Sequence, residues 1–168
     1  RAESIGQVFP ALAGVARFGA DGKAEFSADV RGFDSGATRL VSTTPACRAA
    51  LAGTTAVDDP ASAPNQETVV VIWAPANGGA VAGVFRLDRL VGDAVNASAG
   101  EDSPFVLTDS RGRKPVSREP AGEAKLRVKL SLPGLTWTLH VREDSQELSK
   151  SQALVASIVV LSALLLGG

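Results

Sequence analysis

Few residues in this chain are of a type that does chemistry: it has one histidine and one cysteine. His140 stands in LTWTLHV (135–141) among polar partners, where an exposed structural histidine is expected. No Gly-x-Ser-x-Gly elbow accompanies it, so a Ser-His-Asp arrangement would have to be assembled around that one imidazole. Asp58-Asp59 is an acidic pair in DDPASAPNQE (58–67). Paired carboxylates can hold a hard cation or move protons, but adjacent side chains in a loop are expected to point apart into solvent. Cys47 lies beside Arg48, a cation that could lower a thiol pKa, yet its alanine neighbours predict a buried small apolar residue. The glycines form neither G-x-G-x-x-G nor a Walker loop, so nucleotide binding has no support. Asn96-Ala97-Ser98 fits a glycosylation sequon and suggests an exposed loop.

Trp73 and Phe85 are the aromatic residues of two central strands. Two readings stay open for them: ordinary core, or the lining of a concave apolar pocket between a small antiparallel sheet and a helix with loops over it. In the second reading Val71 and Gly83 on the same strands join the lining. Thr44 and Arg48, on the covering helix, supply the polar contacts.

The elements that must position these residues follow from pattern. Ser4–Leu12 reads as the tail of a helix ended near Pro10. Gly14–Asp29 reads as a hairpin about Asp21-Gly22. Thr44 as N-cap, Pro45 at the first helical position and Gly53 as stop predict a helix over Pro45–Ala52. Thr54–Val57 suggests a short strand and Asp58–Glu67 a loop. TVVVIW (68–73) is a strand covered on both faces, and AVAGVFRL (80–87) its return. Asp88 is expected to cap a short helix through about Val95, with Ala97–Pro104 as a polar linker. Phe105–Leu107, Leu126–Leu130 and Leu135–Val141 then give a second, smaller antiparallel unit. Arg17–Lys23 and Leu107–Arg113 echo one another (strand, Asp-containing turn, Gly, base); duplication of a sheet module would produce this, and so would chance.

Lys plus Arg is 17 against 18 Asp plus Glu in 168 residues, a formal charge of −1. Such a balance gives no electrostatic reason to bind nucleic acid. An apolar share of 45% excludes a disordered chain. One cysteine excludes an internal disulfide and a multi-cysteine metal site. The chain opens at Arg1 without a methionine or a signal segment, so it reads as an excerpt or a processed chain. Ala153–Gly168 carries no charge and is still apolar at its end. It is expected to be the start of a truncated transmembrane helix, which needs roughly 20 residues.

The stretch from Pro45–Ala52 through TVVVIWAP (68–75) to GVFRLDRLV (83–91) resembles the CHASE family of extracytoplasmic sensor domains. The strand of "VVLxxPV" type, the "GxxxGxF" character of Gly79–Phe85 and the helix opening at Asp88 carry the resemblance. It implies PAS-like α/β modules, antiparallel sheets with flanking helices, before a membrane span. The expected division is a membrane-distal sensor module over 1–96, a membrane-proximal β module over 97–148 and the span from 153. The implied function is small-molecule sensing on the periplasmic or extracellular side, relayed to a kinase or cyclase output such as a two-component system. Plant members bind cytokinins in the distal module. The ligand-binding residues are then Trp73, Val71, Phe85, Gly83, Thr44 and Arg48, with no cofactor, no catalysis by the domain itself and a homodimer as partner state. One alternative is a related double-module chemoreceptor sensor, which would share the fold and differ only in its output domain; another is a membrane-anchored interaction domain with no small-molecule ligand; a hydrolase using Asp58 or Asp59 is a third.

Overall fold

The computed structural model describes residues 10–30, 33–100, 103–118, 126–133 and 135–142. The expected helix tail over Ser4–Phe9, Gly134 of the last hairpin and the apolar run from Ala153 lie outside the described residues. The chain divides into two compact units, Arg1–Arg89 and Leu90–Gly168. It is a mixed α/β protein of antiparallel sheets with few helices.

In the first unit, β1 (Leu12–Gly19) and β2 (Ala24–Asp29) form the predicted hairpin. Gly19 N–H donates to Lys23 O and Gly22 N–H to Gly19 O, both at 2.9 Å. Gly22 has φ +75°, a conformation that glycine adopts without steric cost. Leu12, expected at a helix end, opens β1 instead, because its neighbours pair with the last strand of the sheet. A single 3-10 turn (Ala37–Arg39) and helix α1 (Pro45–Leu51) follow. Then come β3 (Ala56–Val57), β4 (Ala61–Ser62), β5 (Thr68–Ala76) and β6 (Gly79–Arg86). The sheet order is β2-β1-β6-β5-β3, with β4 also on β5. The expected loop over 58–67 thus holds a short strand, because Ala61 and Ser62 pair with Val69 and Thr68.

Side chains alternate between the two faces of such a sheet. Ala16, Phe18, Val69, Val71, Trp73, Ala80, Ala82 and Val84 form one face, and Ala37, Ala46, Cys47 and Ala50 join them in the core. The small residues of α1 let the helix lie close on β5 and β6. Close approach also explains Gly79: a Cβ there would stand 1.9 Å from the Phe18 carbonyl oxygen.

Helix α2 (Leu87–Ala99) runs beyond the expected end at Val95. Leu87, Val91 and Val95 form its buried stripe, and Gly100 at φ +99° stops it. The sequon residue Asn96 is in this helix and not in a loop; its Oδ1 accepts a 2.8 Å hydrogen bond from Arg118. Gly92 makes room for that guanidinium, since a Cβ would stand 2.9 Å from Arg118 Nη2.

The second unit has β7 (Phe105–Asp109), β8 (Val116–Arg118), β9 (Leu126–Leu132) and β10 (Leu135–Val141), ordered β8-β7-β10-β9. Phe105, Leu107, Trp137, Leu139 and Val141 are buried on one face. Thr108, Thr136, Thr138 and His140 stand on the other, half-exposed.

Candidate ligand-sensing site

β5 reads TVVVIWAPA because it is a central strand, with β6 on one side and β3 and β4 on the other. Its alternation puts Val71 and Trp73 on the face that α1 covers. Trp73 is 0% exposed. The Phe18 ring lies 5.3 Å from it, centroid to centroid, tilted by 54°. Its Nε1–H donates to Asp58 Oδ2 at 2.7 Å. Asp58 is carried to this position by its own backbone, whose N–H donates to Val71 O just past the β3–β5 pairing.

Four of the six residues expected to bind ligand share this layer, and two do not. Gly83 pairs with Ile72 and Phe85 with Val70, so both belong to the opposite face from Val71 and Trp73. A Cβ at Gly83 would stand 2.6 Å from the Phe85 ring, so the glycine is there to let that ring lie flat over the strand. Thr44, at the start of α1, spends its hydroxyl on the helix, accepting from Cys47 N–H at 3.1 Å. Arg48 is exposed on the same helix.

Cys47 is fully buried, as its alanine neighbours predict. Burial first, then the charge of Asp58, pushes its thiol pKa up, which keeps it protonated and unreactive at neutral pH. The acidic pair divides: Asp59 is exposed, while Asp58 turns inward to the indole instead of into solvent. A buried N–H needs an acceptor, and Asp58 is the one supplied.

At the far end of the same face is a second polar group that sequence reasoning missed. Arg86 extends the parity of Ala82 and Val84 and pairs across the sheet with Val69. Its Nε faces Glu67 Oε2 at 2.7 Å, both atoms shielded from solvent but without hydrogen-bond alignment, so the attraction is chiefly Coulombic. Asp88 Oδ2 is 3.7 Å from Nη2, and the guanidinium lies 5.3 Å from the Phe33 ring centroid. After β2, Ser35 is 4% exposed; its Oγ donates to Asp29 Oδ1 and accepts from Ala37 N–H at 3.1 Å. No spacing in the sequence marks Glu67 and Phe33 as the partners of Arg86, because the three lie on separate segments. Among the described residues no group of three or more His, Cys, Asp or Glu is placed to hold a metal.

The fold has a counterpart among solved structures. The fold is shared with an extracellular ligand-binding receptor. That receptor, from Desulfohalobium retbaense DSM5692, superposes with a TM-score of 0.57 at 10% identity over 83% of this chain. The chain spans 32% of the receptor's length, and the likeness is one of fold. The ligand-binding domain of an amino acid chemoreceptor of Pseudomonas aeruginosa PAO1, in complex with GABA, matches at a TM-score of 0.44 and 15% identity. That match covers 79% of this chain and 74% of the other. No protein-family model and no curated protein matches the chain.

Proposed function

We propose that the first unit is an extracytoplasmic sensor module that binds a small molecule between the β5–β6 face and the elements over it, Phe33–Leu51. The observation that carries this reading is architectural. An antiparallel sheet keeps one face for a helix and a loop, on a fold shared with an extracellular ligand-binding receptor. Such a layer places polar groups of both signs, Arg86 and Asp58, at separate ends of one apolar face. Within it Val71 and Trp73 belong to the covered face of the sheet, and Thr44 and Arg48 belong to the cover. Gly83 and Phe85 act from the far face, by holding the strand in place.

The finer reading is a CHASE-type domain of a membrane-bound receptor, facing the periplasm or exterior. It would be dimeric and would pass occupancy to a kinase or cyclase as a population shift, without chemistry of its own. Its support is the string Thr68–Val91 and the apolar run from Ala153. Among the described residues no helix is long and apolar enough to cross a membrane; the run from Ala153 lies outside them.

A thermal-shift screen of the chain against small metabolites tests the sensor reading. A ligand at one hundred times its Kd stabilises the folded state by about 2.7 kcal/mol, a shift of several degrees. If no compound at high excess moves the melt, the interaction-domain reading takes over. One observation already favours that alternative: Trp73 is wholly enclosed, so the layer beneath α1 is filled at that point.

A further inference from the structure

The face of the second unit's sheet opposite its buried one carries, among the described residues, charge of one sign. Arg127 and Lys129 alternate outward along β9 and are exposed. Cross-strand pairing puts His140 beside Arg127, and Thr138 then Thr108 in line with Lys129. Thr136 lies one step further along β10 on the same face, and Thr108 Oγ1 is 3.2 Å from His140 Nε2. Neither Arg127 nor Lys129 has an ion-pair partner among the described residues, and no described carboxylate stands on this face. The two cations are about 6.6 Å apart along the strand, and rows of hydroxyls cross the sheet at about 4.8 Å spacing.

We propose that this face docks a linear acidic polysaccharide. Arg127 and Lys129 meet its carboxylates, and the hydroxyls of Thr136 and Thr138, which donate and accept, meet its sugar hydroxyls, while Thr108 Oγ1 donates to Thr138 O at 3.2 Å. Charge complementarity selects an anion, and the chemistry of the rest of the face selects the kind. Docking on a bilayer draws on apolar side chains entering the headgroup boundary as well as on charge. The large apolar side chains exposed among the described residues, Phe26, Val41 and Val81, are all in the first unit. This inference is independent of small-molecule sensing by the first unit.

The test is retention of the full chain on immobilised polygalacturonate at low salt, with neutral dextran as control. Retention on polygalacturonate alone, weakened at least tenfold in the Arg127→Thr/Lys129→Thr variant, is the expected result. Threonine keeps strand propensity at both exposed positions. The Arg39→Thr/Arg89→Thr variant removes the same charge from the exposed surface of the first unit and should change retention less than twofold. Equal weakening by both variants, or no retention of the parent chain, overturns the proposal. So does binding to phosphatidylglycerol vesicles that depends on Arg127 and Lys129 without retention on polygalacturonate. If the double variant loses its cooperative melt, Lys129→Gln alone should weaken retention about threefold, and no change there overturns the proposal equally.

Discussion

The hydrogen bond from Trp73 to Asp58 should be among the larger single polar contributions to the first unit. The indole N–H is fully buried and has a 2.7 Å bond to a carboxylate. A hydrogen bond to a charged group contributes about 1.5–3 kcal/mol, and an orphaned buried donor costs about 1–3 kcal/mol. Asp58→Ala leaves that donor with no acceptor in the core, so a loss of about 2 kcal/mol is expected. Trp73→Phe removes the donor and part of a large ring, a fraction of the about 3–5 kcal/mol that truncating a buried Trp to Ala costs. Asp58 is only half-buried, so water can reach the carboxylate that Trp73→Phe leaves behind.

The double variant should therefore cost about 2 kcal/mol less than the sum of the single changes. Urea unfolding followed by far-ultraviolet circular dichroism measures the cycle. Trp137→Phe gives the contrast: that indole is 4% exposed and its Nε1 has no partner among the described residues, so little polar energy is lost with it. It also leaves Trp73 as the only indole of the chain, whose emission then follows the first unit alone. A coupling below about 0.5 kcal/mol would refute the reasoning, since contacts that matter exceed the ordinary scatter of additivity.

Three further outcomes are expected. Gln66→Gly should stabilise the first unit by about 0.5–1 kcal/mol, read as a raised urea midpoint, because Gln66 holds φ +70° and a side chain in the left-handed region is strained. Gly79→Ala should cost about 1–3 kcal/mol or more in the same assay, the added Cβ meeting the Phe18 carbonyl and not a flexible side chain. The carboxyl of Asp109 is subject to burial, which raises its pKa. The hydrogen bonds from the Arg113 side chain and from the backbone N–H groups of Arg113 and Arg111 outweigh this and hold it below the ordinary value. A folded-state pKa lower than the unfolded one stabilises above the unfolded pKa and is lost as pH falls through the folded one. The second unit should thus weaken in acid below about pH 4, and Asp109→Asn should remove that part of the acid sensitivity in unfolding curves taken from pH 7 to pH 2.

Local signals in the sequence led to local structure. Thr44, Pro45 and Gly53 bound α1, and Asp21-Gly22 makes the first hairpin, because caps and turns depend on a few adjacent residues. The alternation Leu135, Trp137, Leu139, Val141 placed β10's faces correctly, since strand period alone fixes them. What the same rule could not decide is which strand neighbours which. Trp73 and Phe85 look equivalent as the aromatics of two strands, but the β5–β6 register puts Trp73 opposite Ala82 and Phe85 opposite Val70, on different faces. Asp58 was hidden for a related reason: its direction is set by pairing with Val71, thirteen positions on, and not by its neighbours. The Arg86–Glu67–Phe33 group spans three segments and leaves no spacing to read.

The echo between Arg17–Lys23 and Leu107–Arg113 is real as structure. Gly19 and Asp109 each donate to the carbonyl four residues on, at 2.9 and 3.0 Å, and Gly22 and Gly112 take φ +75° and +76°. Yet the same turn occurs a third time, between β4 and β5. There Ala63 N–H donates to Glu67 O and Gln66 N–H to Ala63 O, both at 2.8 Å, with no echo in the sequence. A turn that recurs within one unit cannot by itself argue for duplication between two. Strand order is the stronger ground. In each unit the first strand lies between its own hairpin partner and the last strand of the sheet, β2-β1-β6 in one and β8-β7-β10 in the other. That ordering needs a crossover, which a hairpin meander of the same strands would avoid, so its repetition says more about common origin than any turn does.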